Sequence, residues 1–230
     1  MIELKDYQKQ AVDNLSRKVE NSLRSSESEI VVFQAPTGSG KTVMVSALLK
    51  ELISRRKDDR KFAFVWVSVR MLHKQSKEKL ESFYEDDRAI KCSYFDDLED
   101  RRIGENEVLF INWHSINKKD INLFVKDNEK DNNLSNIIKN TKEEGLTIVL
   151  VIDESHHTAN SDKSKELIEI INPKITLEVS ATPHLTEGVS EIEKVRLADV
   201  KAEEMIKSEI LVNPEFLDIK IGSKSADEIV

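Results

Sequence analysis

Two groups of residues in this chain could do chemistry on a polyphosphate. The first is Gln34-Ala35-Pro36-Thr37-Gly38-Ser39-Gly40-Lys41-Thr42, and the second is the acidic pair Asp153-Glu154 at the end of the apolar run Thr147-Ile148-Val149-Leu150-Val151-Ile152. A glycine-containing loop between a strand and a helix turns backbone N–H groups around phosphate oxygens at the helix N-terminus. Thr37, Gly38, Ser39 and Gly40 supply such a loop, Lys41 a point charge beside the β- and γ-phosphates, and the Thr42 hydroxyl a ligand for Mg²⁺. The usual pattern is G-x-x-x-x-G-K-[ST], and Ala35 stands where its first glycine belongs. A plain turn of small residues would not account for a lysine and a threonine placed directly after the second glycine.

The carboxylates complement the loop. Asp153 can anchor Mg²⁺ through water, and Glu154 can accept a proton from the water that attacks a γ-phosphate. His156-His157 follows closely, but adjacent histidines do not share a helix face and no other ligand cluster accompanies them, so a metal site is set aside. His156 is expected to contact polar groups near the nucleotide. Asn117-Lys118-Lys119-Asp120 matches the guanine-reading N-K-x-D pattern of GTPases. It does not directly follow a strand and no D-x-x-G lies between it and the loop, so it reads as a charged loop or helix start.

The elements that must position these groups alternate along the chain. Leu4 to Leu23 has apolar residues at helical spacing, with Tyr7-Gln8 at its start. Ile30 to Phe33 reads as a strand, Val43 to Ile53 as a helix, and Phe62 to Val69 as a strand buried on both faces. Arg70 opens a helix to about Tyr84, Asp86 to Lys91 reads as a loop, and Asp96 to Arg102 as a solvated segment. Glu107 to Ile111 is a short strand. Lys118 to Glu144 is charged and helical in part, stopping at Gly145. Ser161 to Ile171 reads as a helix stopped by Asn172-Pro173. Ile175 to Val179 is a strand that delivers Ser180-Ala181-Thr182-Pro183. After Thr186 the pattern weakens: Ala198 to Ile206 reads as a helix, and Ile210 to Val212 and Phe216 to Ile221 as strands. Alternation of this kind predicts an α/β domain with a mainly parallel sheet and helices on both faces. In such sheets ligands bind beyond the carboxyl ends of the strands, where all these motifs fall.

Composition sets bounds. The 230 residues are 39% hydrophobic and 34% charged, which suits one globular domain with an extension. A net charge of −8 does not point to nucleic acid, although a basic groove can sit on an acidic body. Cys92 is the only cysteine, which excludes an intrachain disulfide and a cysteine-based zinc site. There is no apolar run of about 18 residues and no basic-apolar-small leader, so a cytoplasmic setting without membrane association is expected.

Taken together, these stretches resemble superfamily 2 helicases and translocases of the DEAD/DEAH-box kind, over about residues 4 to 183. Ala35 to Thr42 looks like motif I, Asp153-Glu154-Ser155-His156 like motif II, and Ser180-Ala181-Thr182 like motif III. Ser68 to Gln75 is similar to motif Ia, and Asn112 to Ile116 loosely to motif Ib. Tyr7-Gln8 looks like the upstream adenine-reading element. The resemblance implies a RecA-like P-loop fold, ATP and Mg²⁺ as cofactors, Gln8 as base contact and His156, Ser180 and Thr182 as coupling residues. It also implies that Arg70, Lys74 and Gln75 line a nucleic-acid track.

Within the superfamily, the Asp-Glu-Ser-His-His run, Phe110-Ile111-Asn112-Trp113 and the stretch from Glu204 to Pro214 look like the Res subunit of type III restriction enzymes. That implies a motor on double-stranded DNA with a methyltransferase (Mod) partner. The family motor needs two RecA-like lobes, and no Gln-x-x-Gly-Arg-x-x-Arg stretch occurs here. The expected organisation is therefore a first lobe over residues 1–197 and a linker over 198–230. An RNA helicase lobe and a nucleotide-binding interaction module without motor activity are the alternative readings.

Overall fold

The computed structural model describes residues 3–55, 59–68, 72–85, 89–113, 133–153, 162–184 and 188–206. Among the described residues seven strands form a single sheet: β1 (Glu29–Gln34), β2 (Lys61–Ser68), β3 (Lys91–Ser93), β4 (Glu107–Asn112), β5 (Leu146–Asp153), β6 (Ile175–Ser180) and β7 (Val189–Lys194), in spatial order β3-β4-β2-β5-β6-β1-β7. Every pairing is parallel. This explains why β2 and β5 read as nearly continuous apolar runs, since a parallel sheet is covered on both faces.

Two cores follow from the alternation of side chains along each strand. On one face Phe62, Phe64, Trp66, Val149, Val151 and Leu177 pack with α1 (Asp6–Ser22), α2 (Lys41–Ser54) and α3 (Leu72–Tyr84). On the other face Ala63, Val65, Val67, Ile148, Leu150 and Ile152 pack with α4 (Leu134–Glu143) and α5 (Asp162–Ile171). Trp113, at the head of the segment compared with motif Ib, is part of this second core.

The strand ends share one level. Gln34 stands opposite Ser180, Val179 opposite Asp153, and Asp153 opposite Ser68. One edge of the sheet therefore presents the phosphate loop, the end of β5 and the end of β6 side by side.

Three expectations need correction. Lys91 does not end a loop but starts β3, a three-residue strand too short to show a period. The weak region after Thr186 contains β7, a strand missed because it lies at the sheet edge beside β1. An edge strand whose residues are exposed or half-buried except at Glu193 has no need of an apolar run, and Ile192 points outward there. The helix expected from Ala198 to Ile206 is α6 (Leu197–Ala202), closed by the backbone bond from Met205 N to Val200 O. The expected mainly parallel α/β sheet is found, and every pairing among the described residues is parallel. The expected boundary at 197/198 falls within α6, whose Val200 is fully buried in the first core. The strands expected at 210–212 and 216–221 lie outside the described residues. Among those described, no helix is long and apolar enough to cross a membrane.

Cys92, on β3, sits half-buried and packs against the first core. Burial pushes its thiol up to about 12, and the thiolate is the reactive form. At pH 8, a thiol–disulfide exchange reagent is expected to label native Cys92 at least about tenfold more slowly than the urea-unfolded chain. Absorbance of the released chromophore measures both rates, and equal rates would contradict the burial.

Candidate nucleotide site

The loop between β1 and α2 has the required geometry. Gly38 and Gly40 both have φ of +82°, in the left-handed region that side chains other than glycine seldom adopt. Gly40 is the N-cap of α2, so the helix begins at Lys41 with its free N–H groups turned toward the loop. Space as well as torsion demands glycine at position 40, because a Cβ there would lie 2.5 Å from Gln8 Nε2.

Helix α1 holds this loop from the side. The Tyr7 hydroxyl donates to the Ser39 carbonyl at 2.6 Å, and Gln8 Nε2 donates to the same oxygen at 3.0 Å. Gln8 Oε1 in turn accepts from Lys5 N at 2.9 Å, which satisfies a backbone donor at the start of α1. Burial raises the Tyr7 phenol above its usual range, so it remains a donor well into alkaline solution. From the other side, β6 grips the loop's origin. Ala35 N donates to Ser180 O and Gln34 Nε2 to Ala181 O, both at 3.1 Å.

The loop opens on a cavity of about 300 Å³ lined by residues of α2, α3 and β5, including Lys41, Thr42, Ser76 and Asp153. Lys41 is 8% exposed and Asp153 6% exposed. The Ser76 hydroxyl donates to Asp153 Oδ2 at 3.3 Å. This set fits the cofactors that the sequence implies. Backbone N–H groups and an ammonium face a space of nucleotide-phosphate size, and a hydroxyl with a carboxylate is the hard oxygen set that Mg²⁺ takes.

The structure thus brings together Thr37, Gly38, Gly40, Lys41, Thr42 and Asp153, and places Gln8 against Ser39 behind the loop. Ser180 is buried, with its Oγ accepting from Thr182 N at 3.2 Å, and Thr182 itself is exposed. Of the expected nucleic-acid track, Lys74 is exposed on α3, while Gln75 lines the nucleotide cavity. Arg70, Glu154, His156 and His157 lie outside the described residues, as does Asn117 to Asp120.

Sequence reasoning passed over Ser76, Lys79 and Met205, which also line the cavity. Gln75, Ser76 and Lys79 share a face of α3 at helical spacing, so the pattern was present. What the chain did not announce is that α3 packs beside α2 with that face toward the loop.

The Ser76 hydroxyl helps to orient the Asp153 carboxylate. Ser76→Ala is expected to raise the Mg²⁺ concentration for half-maximal nucleotide binding by about three- to tenfold, the net worth of one typical hydrogen bond. Nucleotide binding in EDTA should be unchanged. A magnesium titration of a fluorescent nucleotide reads both, and an unshifted midpoint would show that Asp153 is held without Ser76.

Comparison with known proteins agrees with this geometry. The family described as type III restriction enzyme, res subunit, matches residues 1–185. No curated protein matches the chain. Among solved structures, the fold is similar to that of a nuclease-deletion mutant of the Type ISP restriction-modification enzyme LlaGI in complex with a DNA substrate mimic, with a TM-score of 0.52 and 12% identity. The superposition covers 89% of this chain and 21% of that one, so this chain spans about a fifth of the length of that enzyme. At such identity the likeness concerns the fold alone, and the family match, which covers most of the sequence, carries the assignment. The chain belongs to the family of the res subunit of type III restriction enzymes, and it is a lobe of the superfamily 2 helicase type.

Proposed function

We propose that this chain is the ATP-binding lobe of a DNA-dependent translocase, the restriction (Res) subunit of a type III restriction-modification system. The observation that carries the reading is the convergence of buried Lys41 and buried Asp153 on one cavity at the mouth of a glycine loop. The family match supports the Res assignment. DNA rather than RNA is favoured because the solved structural relative is a restriction enzyme in complex with a DNA substrate mimic.

In this reading Lys41 neutralises oxygens of the β- and γ-phosphates, and the loop amides hold the phosphates in place. Thr42 and Asp153 would hold Mg²⁺, which supplies charge neutralisation on the transferring phosphoryl group. Glu154 accepts the proton of the attacking water. Ser180 and Thr182 follow directly on β6, which is bonded to the root of the loop, and with His156 they are the candidates for relaying nucleotide state. Lys74 and Arg70 contact DNA phosphates. A second RecA-like lobe supplies arginine to the γ-phosphate, a contribution typically worth about 10³–10⁵ in rate. The lobe alone therefore binds nucleotide and turns it over slowly. A methyltransferase (Mod) subunit provides sequence recognition, and the setting is cytoplasmic.

The experiment is Mg·ATP binding and turnover with and without duplex DNA. Lys41→Ala is expected to weaken binding by at least about a hundredfold, the loss of a charge-assisted contact in a dry site. Glu154→Gln should retain affinity and lose turnover. Unchanged affinity in Lys41→Ala would overturn the site. DNA affinity should fall steeply between about 50 and 200 mM salt, since phosphate contacts release counterions. Salt-independent binding, or equal affinity for RNA, would count against the DNA track.

A further inference from the structure

The segment that follows α6 ends against the nucleotide loop. Val200 buries completely and anchors α6 in the first core. Beyond it the chain turns back. Met205 N donates to Val200 O at 3.2 Å, and Glu204 adopts a left-handed backbone with φ of +56°. The Glu203 carboxylate lies 3.7 Å from Lys5 Nζ, beside the start of α1. This turn carries Met205 and Ile206 onto the loop. A Cβ on Gly38 would lie 2.8 Å from Ile206 Cγ2, and one on Gly40 would lie 4.0 Å from Met205 Cε.

Met205 is unusual in its setting. It is one of three large apolar side chains exposed among the described residues, at 37%, and it lines the same cavity as Lys41, Thr42 and Asp153. A thioether gains nothing from facing phosphate or hydrated metal. It does gain from the face of an aromatic ring, which its polarizable sulfur and methyl group contact well. An exposed apolar face beside a phosphate loop is a surface on which a nucleobase can rest.

We propose that Met205 is a base-specificity residue of the nucleotide site, its side chain packing on the face of the purine while Ile206 seats the turn on the loop. The inference rests on the nucleotide-binding reading above. It makes the segment after α6 part of the nucleotide site, so that base occupancy is sensed by the chain as it leaves the last described helix.

The test compares two ligands that share phosphates and differ in the base. Affinities of Mg·ATP and of magnesium tripolyphosphate are measured by calorimetry for the wild type, Met205→Ala and Met205→Leu, with thermal melting to verify folding. Met205→Ala is expected to weaken ATP by about five- to tenfold, the scale of a lost sulfur–aromatic contact, and to leave tripolyphosphate unchanged. Met205→Leu should stay within about threefold of the wild type for ATP, because it keeps the apolar face. Equal weakening of both ligands would assign Met205 a role in loop structure, and unchanged ATP affinity would remove it from the base site; either overturns the proposal. A wild type that binds neither ligand would instead overturn the nucleotide reading itself, and this inference with it.

Discussion

Two donors from one helix, the Tyr7 hydroxyl and the Gln8 amide, meet on the carbonyl oxygen of Ser39, and the working geometry of the loop depends on that meeting. A phosphate cradle needs N–H groups turned inward, so some carbonyls must turn outward, and an outward carbonyl buried against a helix is costly unless it is bonded. Here it is bonded twice. The glycines at 38 and 40 permit the turn, but permission is not direction. Helix α1 supplies the direction, and the apolar stripe of Ala11, Val12, Leu15 and Val19 that buries α1 on the sheet is what keeps its first turn in place.

The sheet then sets distances. Because β6 lies between β1 and β5, the loop root and Asp153 are separated by one strand at the same level of the sheet. That spacing leaves room for a phosphate chain and a metal between them. The intermediate strand is bonded to both neighbours, and its end meets the loop root through Ala35 and Gln34. A change at the nucleotide therefore has a short, hydrogen-bonded route to the segment after Ser180. Glu178 stiffens that segment: fully buried on β6, it accepts the His184 backbone N–H at 2.7 Å. A buried carboxylate is tolerable only with such partners.

Much of this was legible in the chain. The loop motif, the apolar runs of β2 and β5 and the acidic residue closing β5 are local signals, readable because a buried parallel strand favours apolar residues and a phosphate loop needs its glycines and lysine at fixed offsets. Edge elements were not legible in the same way. β7 is exposed or half-buried at every residue but the polar Glu193, and β3 is held by β4 alone, so neither carries the pattern that burial writes into a sequence.

The chain by itself therefore determined the fold class, the loop and the identity of the charged groups, since each rests on residue type and short-range spacing. Only the tertiary structure decided what stands around them. Ser76 reaches Asp153 across 77 residues of sequence, Tyr7 reaches Ser39 across 32, and Met205 returns from the end of the described chain to the mouth of the loop. Contacts of that range leave no periodic trace, because they are made by the strand order and the packing of whole helices rather than by any neighbour in the chain.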